Sequence, residues 1–304
     1  MTITTIGLLG FGEVGSRLLQ DLANTTQAQF IVWDKQFPLG DSKPAANRNS
    51  AESLGARARF VNSSAELAPD CDLIISAVTA EQDLAAASSV LDTLKPATWF
   101  LDLNSVSPGT KRAVSAAVTE AEGRYVEAAV MSPIEPLRIA APILVAGPEA
   151  EAFLTIGQTL GFSGMKFCST ELGKAAATKM CRSVIIKGME SLVTESLLTA
   201  SYYDVQDAVI TSLNNLFPRP DWPEHARYLI SRSLEHGVRR AEEMREVAKT
   251  VSESGIEPLM SDACSKRQDW TAQFVSALEH EELQQMLAAI RAKLGEQANE
   301  ENNV

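Results

Sequence analysis

Gly10-Phe11-Gly12-Glu13-Val14-Gly15 stands directly after an apolar run that begins at Ile3, and just before Leu18, Leu19 and Leu22 at helical spacing. A G-x-G-x-x-G sequence between a strand and a helix suits a pyrophosphate. Gly10 permits the tight turn, Gly12 removes the Cβ that would hold a phosphate off the backbone, and Gly15 lets the helix pack close to its strand. The unpaired N–H groups at the helix start, with the positive end of its dipole, then receive the anion without a lysine. A second apolar run, Phe30-Ile31-Val32-Trp33, ends in Asp34, nineteen residues after Gly15 and close to the spacing of about 20 at which a carboxylate meets an adenosine ribose. Strand, glycines, helix, strand and acid in this order predict that Gly10, Phe11, Gly12, Glu13, Val14, Gly15 and Asp34 bind a dinucleotide. An acid at that place hydrogen-bonds the ribose hydroxyls of NAD and repels the 2′-phosphate of NADP, whereas Lys35, Arg48 and Arg57 could neutralise one. The balance favours NAD and leaves NADP open.

A second set of residues has spacing suited to proton transfer. Gly173, Lys179, Ser183 and Lys187 lie at steps of six, four and four, so the last three share one edge of a helix. Ala175, Ala176, Ala177, Met180 and Val184 would surround Lys179, and partial desolvation lowers a lysine's pKa toward the range useful for an acid/base. Spacing alone favours the other reading, a lysine that snorkels to solvent from a packed helix. His225, His236 and His280 all fall in the C-terminal part of the chain, which excludes a histidine mechanism at the strand ends of the first domain. His225 and His236 are eleven residues apart, about 16 Å along a helix, so they cannot share a metal and read as surface residues. No cluster has zinc or calcium spacing, and no metal is expected.

The elements that must position these groups can be read from periodicity. After the first two strands, residues 35–50, rich in Pro, Gly, Asn and Ser, read as a loop beside Asp34. Residues 58–61 form a third strand and 72–78 a fourth, apolar throughout as expected of a strand covered on both faces. Ligands bind beyond the carboxyl ends of parallel strands, so Ala77, Val78 and Thr79 should touch the cofactor. A helix over 81–94 leads to a strand over 98–101, which runs into Asp102-Leu103-Asn104-Ser105-Val106-Ser107-Pro108. Strands at 124–130, 142–146 and 165–168 complete an open sheet. From Ser169 the strand-like runs vanish. A helix extends to about residue 201, Pro218-Arg219-Pro220-Asp221-Trp222-Pro223 breaks the pattern, and helices follow over 224–253, 258–278 and 280–294, the last ended by Gly295. The expected fold class is therefore α/β: a doubly wound Rossmann-type parallel sheet over residues 1–168, then an all-α C-terminal domain over 169–304.

Composition narrows the partners. With 304 residues, 45% of them hydrophobic, the chain can build two cores, and its net charge of −12 argues against nucleic acid or an anionic membrane surface. No run reaches the roughly 18 apolar residues of a membrane span, and the first apolar stretch is already a strand rather than the core of a leader. Cys71, Cys168, Cys181 and Cys264 include no C-x-x-C pair, and a reduced cytoplasm is the natural reading.

Together these motifs resemble the β-hydroxyacid dehydrogenase superfamily, which includes 3-hydroxyisobutyrate, tartronate semialdehyde and 6-phosphogluconate dehydrogenases, over the whole N-terminal domain and the long helix. Its glycine-rich loop is matched by Gly10 to Gly15. Its D-x-S-T-x-x-P segment, which contacts cofactor and substrate, is similar to Asp102 to Pro108, with Asn104 and Ser105 in place of the Ser and Thr. Its substrate loop D-A-P-V-S-G-G looks like Glu127-Ala128-Ala129-Val130-Met131-Ser132-Pro133, where Pro133 has no N–H to offer a carboxylate. Its segment G-x-G-x-x-x-K-x-x-x-N resembles Gly173 to Ser183, with Ala175 for the second Gly and Ser183 for the Asn. The resemblance implies an NAD(P)-dependent oxidoreductase in which Lys179 is the general acid/base. It implies that Asn104 touches the cofactor, and that Ser105, Met131, Ser132, Pro133 and Ser183 meet a small acidic substrate, with Arg138 available to pair with an acidic group. The implied substrate is a carboxylated alcohol, and the implied assembly is a homodimer with its active site in the cleft between the domains. An imine reductase of the same fold, which needs the same cofactor and a similar cleft, is one alternative; a dinucleotide-binding regulator without turnover, motivated by the substituted Asn and Gly-Gly positions, is the other.

Overall fold

Continuous apolar runs become the strands of one sheet because both of its faces are covered. The computed structural model describes residues 2–213, 221–253 and 257–301, and the chain divides into two compact units, Met1–Met180 and Cys181–Val304. The first unit contains β1 (Thr5–Leu9), β2 (Gln29–Trp33), β3 (Ala58–Phe60), β4 (Leu73–Ser76), β5 (Trp99–Asp102), β6 (Arg124–Val130), β7 (Ile143–Ala146) and β8 (Met165–Ser169), in the order β3-β2-β1-β4-β5-β6-β7-β8. Successive side chains go to opposite faces. Ile6, Leu8, Leu73, Ile75, Trp99 and Leu101 enter one core, whereas Leu9, Ile74 and Phe100 enter the other. Helices α1 (Glu13–Thr25), α2 (Lys43–Ser50), α3 (Asp83–Leu91), α4 (Pro108–Glu120) and α5 (Ala150–Leu160) supply much of the cover. Strand order reverses between β1 and β4, and their carboxyl ends carry Gly10 and Ala77 side by side. That is where an open α/β sheet binds its ligand.

Three expectations are corrected. The sheet is not wholly parallel, because β7 runs antiparallel to β6. Between them there is only a short 3-10 turn at Arg138–Ala140, and a parallel return needs a full crossover. Residues 35–50 are not all loop. Ser42 accepts the N–H of Ala45 at 3.3 Å and Pro44 occupies the first turn, so α2 has a regular start that the Pro and Asn content concealed. Gly295 does not end the last helix, which continues to Glu301. The residues around Gly295 are good helix formers, and the cost of about 1 kcal/mol for one glycine does not stop them.

The second unit is built from the rest of α6 (Lys174–Tyr202), α7 (Gln206–Leu213), α8 (Trp222–Glu253), α9 (Leu259–Thr271) and α10 (Leu283–Glu301). Leu197, Ile230, Leu234, Phe274, Met286 and Ile290 form its core. Gly237 lets α8 approach α9, since a Cβ there would lie 2.4 Å from the carbonyl oxygen of Gln268. His225 and His236 are partly buried, and α8 bends at His236, whose φ is −122° and ψ 16°. The expected break at Pro218-Arg219-Pro220 lies outside the described residues, and so does the end of the acidic tail at 302–304. No described helix is long and apolar enough to cross a membrane.

One contact fixes the start of α6 on the sheet. Glu127, fully buried in the middle of β6, accepts the N–H of Ala176 at 2.6 Å with one carboxylate oxygen and the N–H of Gly173 with the other. These N–H groups have no partner within the helix, and a carboxylate also complements the dipole there. Gly173 has a φ of +92°, and a Cβ on it would meet Pro108 and Arg112 at 3.0 Å, so glycine is required by both conformation and space. Glu127→Gln keeps the volume but turns an NH2 toward a donor. It should lower the unfolding free energy by about 1–3 kcal/mol, read from urea denaturation. Glu149→Gln, in a half-exposed pair with Arg124, should change it by less than about 1 kcal/mol. Equal small shifts for both would show that the cap carries no weight.

Candidate active site

The glycine loop is shaped by its neighbours except at one position. Gly10 has a φ of +99°, and a Cβ there would lie 2.4 Å from the carbonyl oxygen of Ala77; a Cβ on Gly15 would lie 2.2 Å from the carbonyl oxygen of Gly10. Gly12 is different, because a Cβ there would meet nothing within 4 Å. Protein packing does not require that glycine, so close approach of something outside the chain is the physical reason left for it. Gly12 also starts α1 without any side-chain cap. The residues therefore fit a dinucleotide: open space before a Cβ-free backbone, and a helix start with N–H groups to give. Phe11 is fully buried and stacks edge-on with Phe37 and Phe60, Val14 is half-buried and Glu13 exposed.

Asp34 has a structural task in the loop. Its carboxylate accepts the N–H of Phe11 at 2.7 Å and that of Gln36 at 2.8 Å, which ties the loop to the end of β2. Each oxygen keeps lone pairs for ribose hydroxyls. Asn47 on α2 holds the loop from the other side, donating to the carbonyls of Phe11 at 2.9 Å and Gly12 at 3.1 Å. Nothing in the spacing of Asn47 signals this. Of the three basic residues considered for a 2′-phosphate, Arg57 is excluded, since its guanidinium donates to the carbonyls of Ala23, Thr26 and Ala28. These lie between the end of α1 and the start of β2, at the opposite end of the strand from Asp34. Arg48 sits over the rings of Phe37 and Phe60 at 5.4 and 5.5 Å, and Lys35 is exposed.

At the neighbouring strand ends, Ala77 and Val78 are half-buried and Thr79 is exposed. Val78 is set by Asn104, whose Oδ1 accepts its N–H at 2.7 Å. Asn104 is buried, and its Nδ2 donates to Ser76 Oγ at 2.9 Å and to Asp83 Oδ1 at 2.7 Å. Through this amide Asn104 sets Val78, and its Oδ1, which accepts one hydrogen here, keeps a second lone pair. Beneath it lies a fully buried ion pair. Lys111 reaches Asp102 Oδ1 at 2.7 Å and its carbonyl at 2.9 Å, while Asp102 also accepts from Tyr125 Oη at 2.8 Å and the N–H of Asn104 at 2.9 Å. Burial, then the Asp102 and Asp83 carboxylates, push the Tyr125 phenol well above its ordinary value, so it remains a donor. Asp83, Lys111 and Tyr125 were not singled out from the sequence. They are far apart along it and read as an ordinary first-turn acid, a helix lysine and a strand aromatic.

One residue later comes the contact with α6. Lys179 Nζ, half-buried, donates to Ser105 Oγ. The segment after β5 and the start of α6 thus bring an amine and a hydroxyl together, one residue from the Asn104 that sets Val78. Met131 packs with Ala129, Ala146 and Ala175, close to the first turn of α6, and its N–H is taken by the Pro142 carbonyl at 2.8 Å. Ser132 turns its hydroxyl to the Pro133 carbonyl at 2.9 Å, and Pro133 is exposed. Arg138 does not face a substrate. It pairs with Asp21 at 2.9 Å and donates to Gln20 at 2.9 Å, pinning the loop after β6 to α1. Ser183 belongs to the second unit, where it is buried and receives Lys187 Nζ at 3.3 Å. Lys187 is itself paired with Glu243 at 2.5 Å. Burial pulls its ammonium below the ordinary value, against Glu243, which raises it. Among the described residues no three His, Cys, Asp or Glu side chains are grouped as a metal would need.

Residues 5–173 match the NAD binding domain of 6-phosphogluconate dehydrogenase, and residues 200–271 match a domain of unknown function, DUF1932. A conserved hypothetical protein from Sinorhizobium meliloti 1021 is 31% identical, with 95% of this chain and 96% of that one covered and a TM-score of 0.72. The conserved protein MTH1747, of unknown function and described as structurally similar to 3-hydroxyacid dehydrogenases, is 26% identical over 88% of this chain and 97% of its own, with a TM-score of 0.66. The Mycobacterium tuberculosis 3-hydroxyisobutyrate dehydrogenase, solved with L-serine, shares the fold at 17% identity, with coverages of 95% and 100% and a TM-score of 0.67. The glycine loop, the acid after β2 and the strand ends described above all fall inside the matched domain, and the chain belongs to the β-hydroxyacid dehydrogenase superfamily, in a branch whose helical region carries DUF1932.

Proposed function

We propose that this protein is an NAD(P)-dependent oxidoreductase acting between a carboxylated alcohol, a 3-hydroxyacid or sugar acid, and its oxo form, with Lys179 as the acid/base. The observation that carries this reading is the Lys179–Ser105 contact at the end of β5, beside the Asn104 that sets Val78. A bound nicotinamide would supply the hydride chemistry. Lys179 would take the hydroxyl proton during oxidation and return it during reduction, and Ser105, already its partner, would orient the same oxygen. Glu127 maintains the distance by fixing the first turn of α6. Ser132 and Met131 would border the substrate, with Pro133 denying it a backbone donor. A relative is described with L-serine, a small hydroxylated carboxylate that suits the same chemistry.

Asp34 supports NAD over NADP, and the commitment of Arg57 to three carbonyls removes one phosphate partner. Titration of both cofactors should show tighter NAD binding, with a smaller gap in Asp34→Ala. Equal or reversed affinities in the parent would assign the ribose end to Lys35 or Arg48 instead.

A homodimer is part of the proposal. Ile185 and Leu192, 64% and 53% exposed, are seven residues apart and so share one face of α6, an apolar face that a second copy would cover. Sedimentation at micromolar concentration should give about twice 32.8 kDa, and a monomer would remove this part.

Replacing Lys179 by Met keeps the stem and deletes the amine. Turnover should fall by about 10²- to 10⁴-fold with cofactor affinity nearly unchanged, because the glycine loop holds the pyrophosphate. Lys174→Met is the control, since Lys174 is exposed at the start of α6 and pairs with Glu171, just before the helix, at 3.3 Å. A panel of hydroxyacids, sugar acids, their phosphates and imines, run with both cofactors, locates the substrate class. Tight cofactor binding with no turnover across that panel would sink the enzymatic reading and leave a dinucleotide-binding regulator.

A further inference from the structure

Asp83 opens α3 and is fully buried, yet one of its carboxylate oxygens, Oδ2, has no hydrogen-bond partner. The other accepts from Asn104 Nδ2 at 2.7 Å. A buried carboxylate oxygen without a donor is costly. Its titratable neighbours come from three elements: Asp102 from the end of β5, Lys111 from α4, and Tyr125 from β6. Lys111 and Tyr125 both give their hydrogens to Asp102, and Glu127, further along β6, is occupied by the start of α6. Two buried carboxylates thus share a single nearby cation. One added hydrogen makes the group neutral and gives Asp83 Oδ2 the bond it lacks, donated to Asp102. Burial first, and the Asp102 carboxylate second, push the Asp83 acid up to about 7, against the pull of Lys111.

We propose that Asp83 and Asp102 share one hydrogen beneath the strand ends, and that this shared hydrogen holds the Asn104 amide in the orientation that places Val78 and Ser105. Asp83 is then a positioning residue for the cofactor site, and the effect on binding rests on the cofactor reading given above. When the hydrogen leaves to solvent, the two carboxylates repel, and Asn104, which bonds to both, shifts with them. Because Asn104 sets Val78 at the strand end, cofactor affinity should fall as pH rises through about 7.

The test measures NADH and NADPH affinity between pH 6 and 8.5, with melting temperatures between pH 4 and 8.5, for the parent and for Asp83→Asn. The amide copies the size and the donor of the protonated acid and cannot titrate. Parental affinity should drop about 3- to 10-fold across the range, the scale of one lost hydrogen bond, while Asp83→Asn keeps a flat profile. Identical profiles for the two proteins would overturn the proposal, and so would an Asp83→Asn protein that fails to fold. If neither cofactor binds at any pH, the cofactor reading fails and the melting temperatures decide the shared hydrogen. An acid raised from 3.8 to about 7 on folding loses stability progressively between those values and no further above them. The advantage of Asp83→Asn should therefore grow from pH 4 to 7 and then stay level. A constant difference would refute the shared hydrogen.

Discussion

The buried Glu127 carboxylate governs much of this structure, because it joins a strand of the sheet to the helix that carries Lys179. The two N–H groups it receives belong to residues 173 and 176, six and three positions before the lysine. An α-helix rises 1.5 Å per residue, so a helix fixed at its first turn delivers a side chain in the next turn with little slack. The remaining freedom is rotation, and Ala175 packing against Ala129 and Ala146 removes it. Small residues let the helix sit close to β6 and β7. A larger side chain at Ala175 would lift the helix and break the Glu127 contact and the Lys179–Ser105 contact together.

The same strategy recurs at the end of β5, where charges are buried in order to fix backbone. An isolated lysine in the place of Lys111 would be very unfavourable, and the pair with Asp102 offsets that only because Tyr125 and the N–H of Asn104 satisfy the remaining oxygens. What the pair contributes is placement more than stability. Asp102 holds Asn104, Asn104 holds Val78, and the chain then turns to present Ser105. Polar groups are costly to bury, so those that are buried and satisfied restrict the arrangement more than an apolar cluster of equal size would.

The glycine loop, Asp34 and most of the strands were legible in the sequence because each rests on local chemistry. A Cβ-free turn, a strand-end acid and an apolar run of four to seven residues carry their reason within a few positions. β6 was read over its full observed span, 124–130. Groups whose partners are distant in sequence were misread. Arg138 looked available to a substrate, but Asp21, 117 residues earlier, holds it. Arg57 looked like a phosphate ligand, but three carbonyls between residues 23 and 28 hold it. The antiparallel turn of β7 was hidden for another reason: strand direction depends on the length and content of a connection, and an apolar tetrad reads the same either way.

These two classes of residue divide the site into a part fixed by backbone and a part left to side chains. In the proposed reading the pyrophosphate end rests on Gly12, on N–H groups and on carbonyls clamped by Asn47. The proposed substrate end rests on Ser105, Lys179 and the segment after β6, where Pro133 removes a donor and Ser132 is turned back on its own loop. A protein that keeps the first and alters the second can retain the reaction while changing what it reacts with. Here the lysine and its hydroxyl partner are in place, and the backbone donors of the loop are reduced. In that proposal an acidic group is recognised by side chains rather than by a loop of N–H groups, and side chains, unlike a glycine turn, can be replaced one at a time.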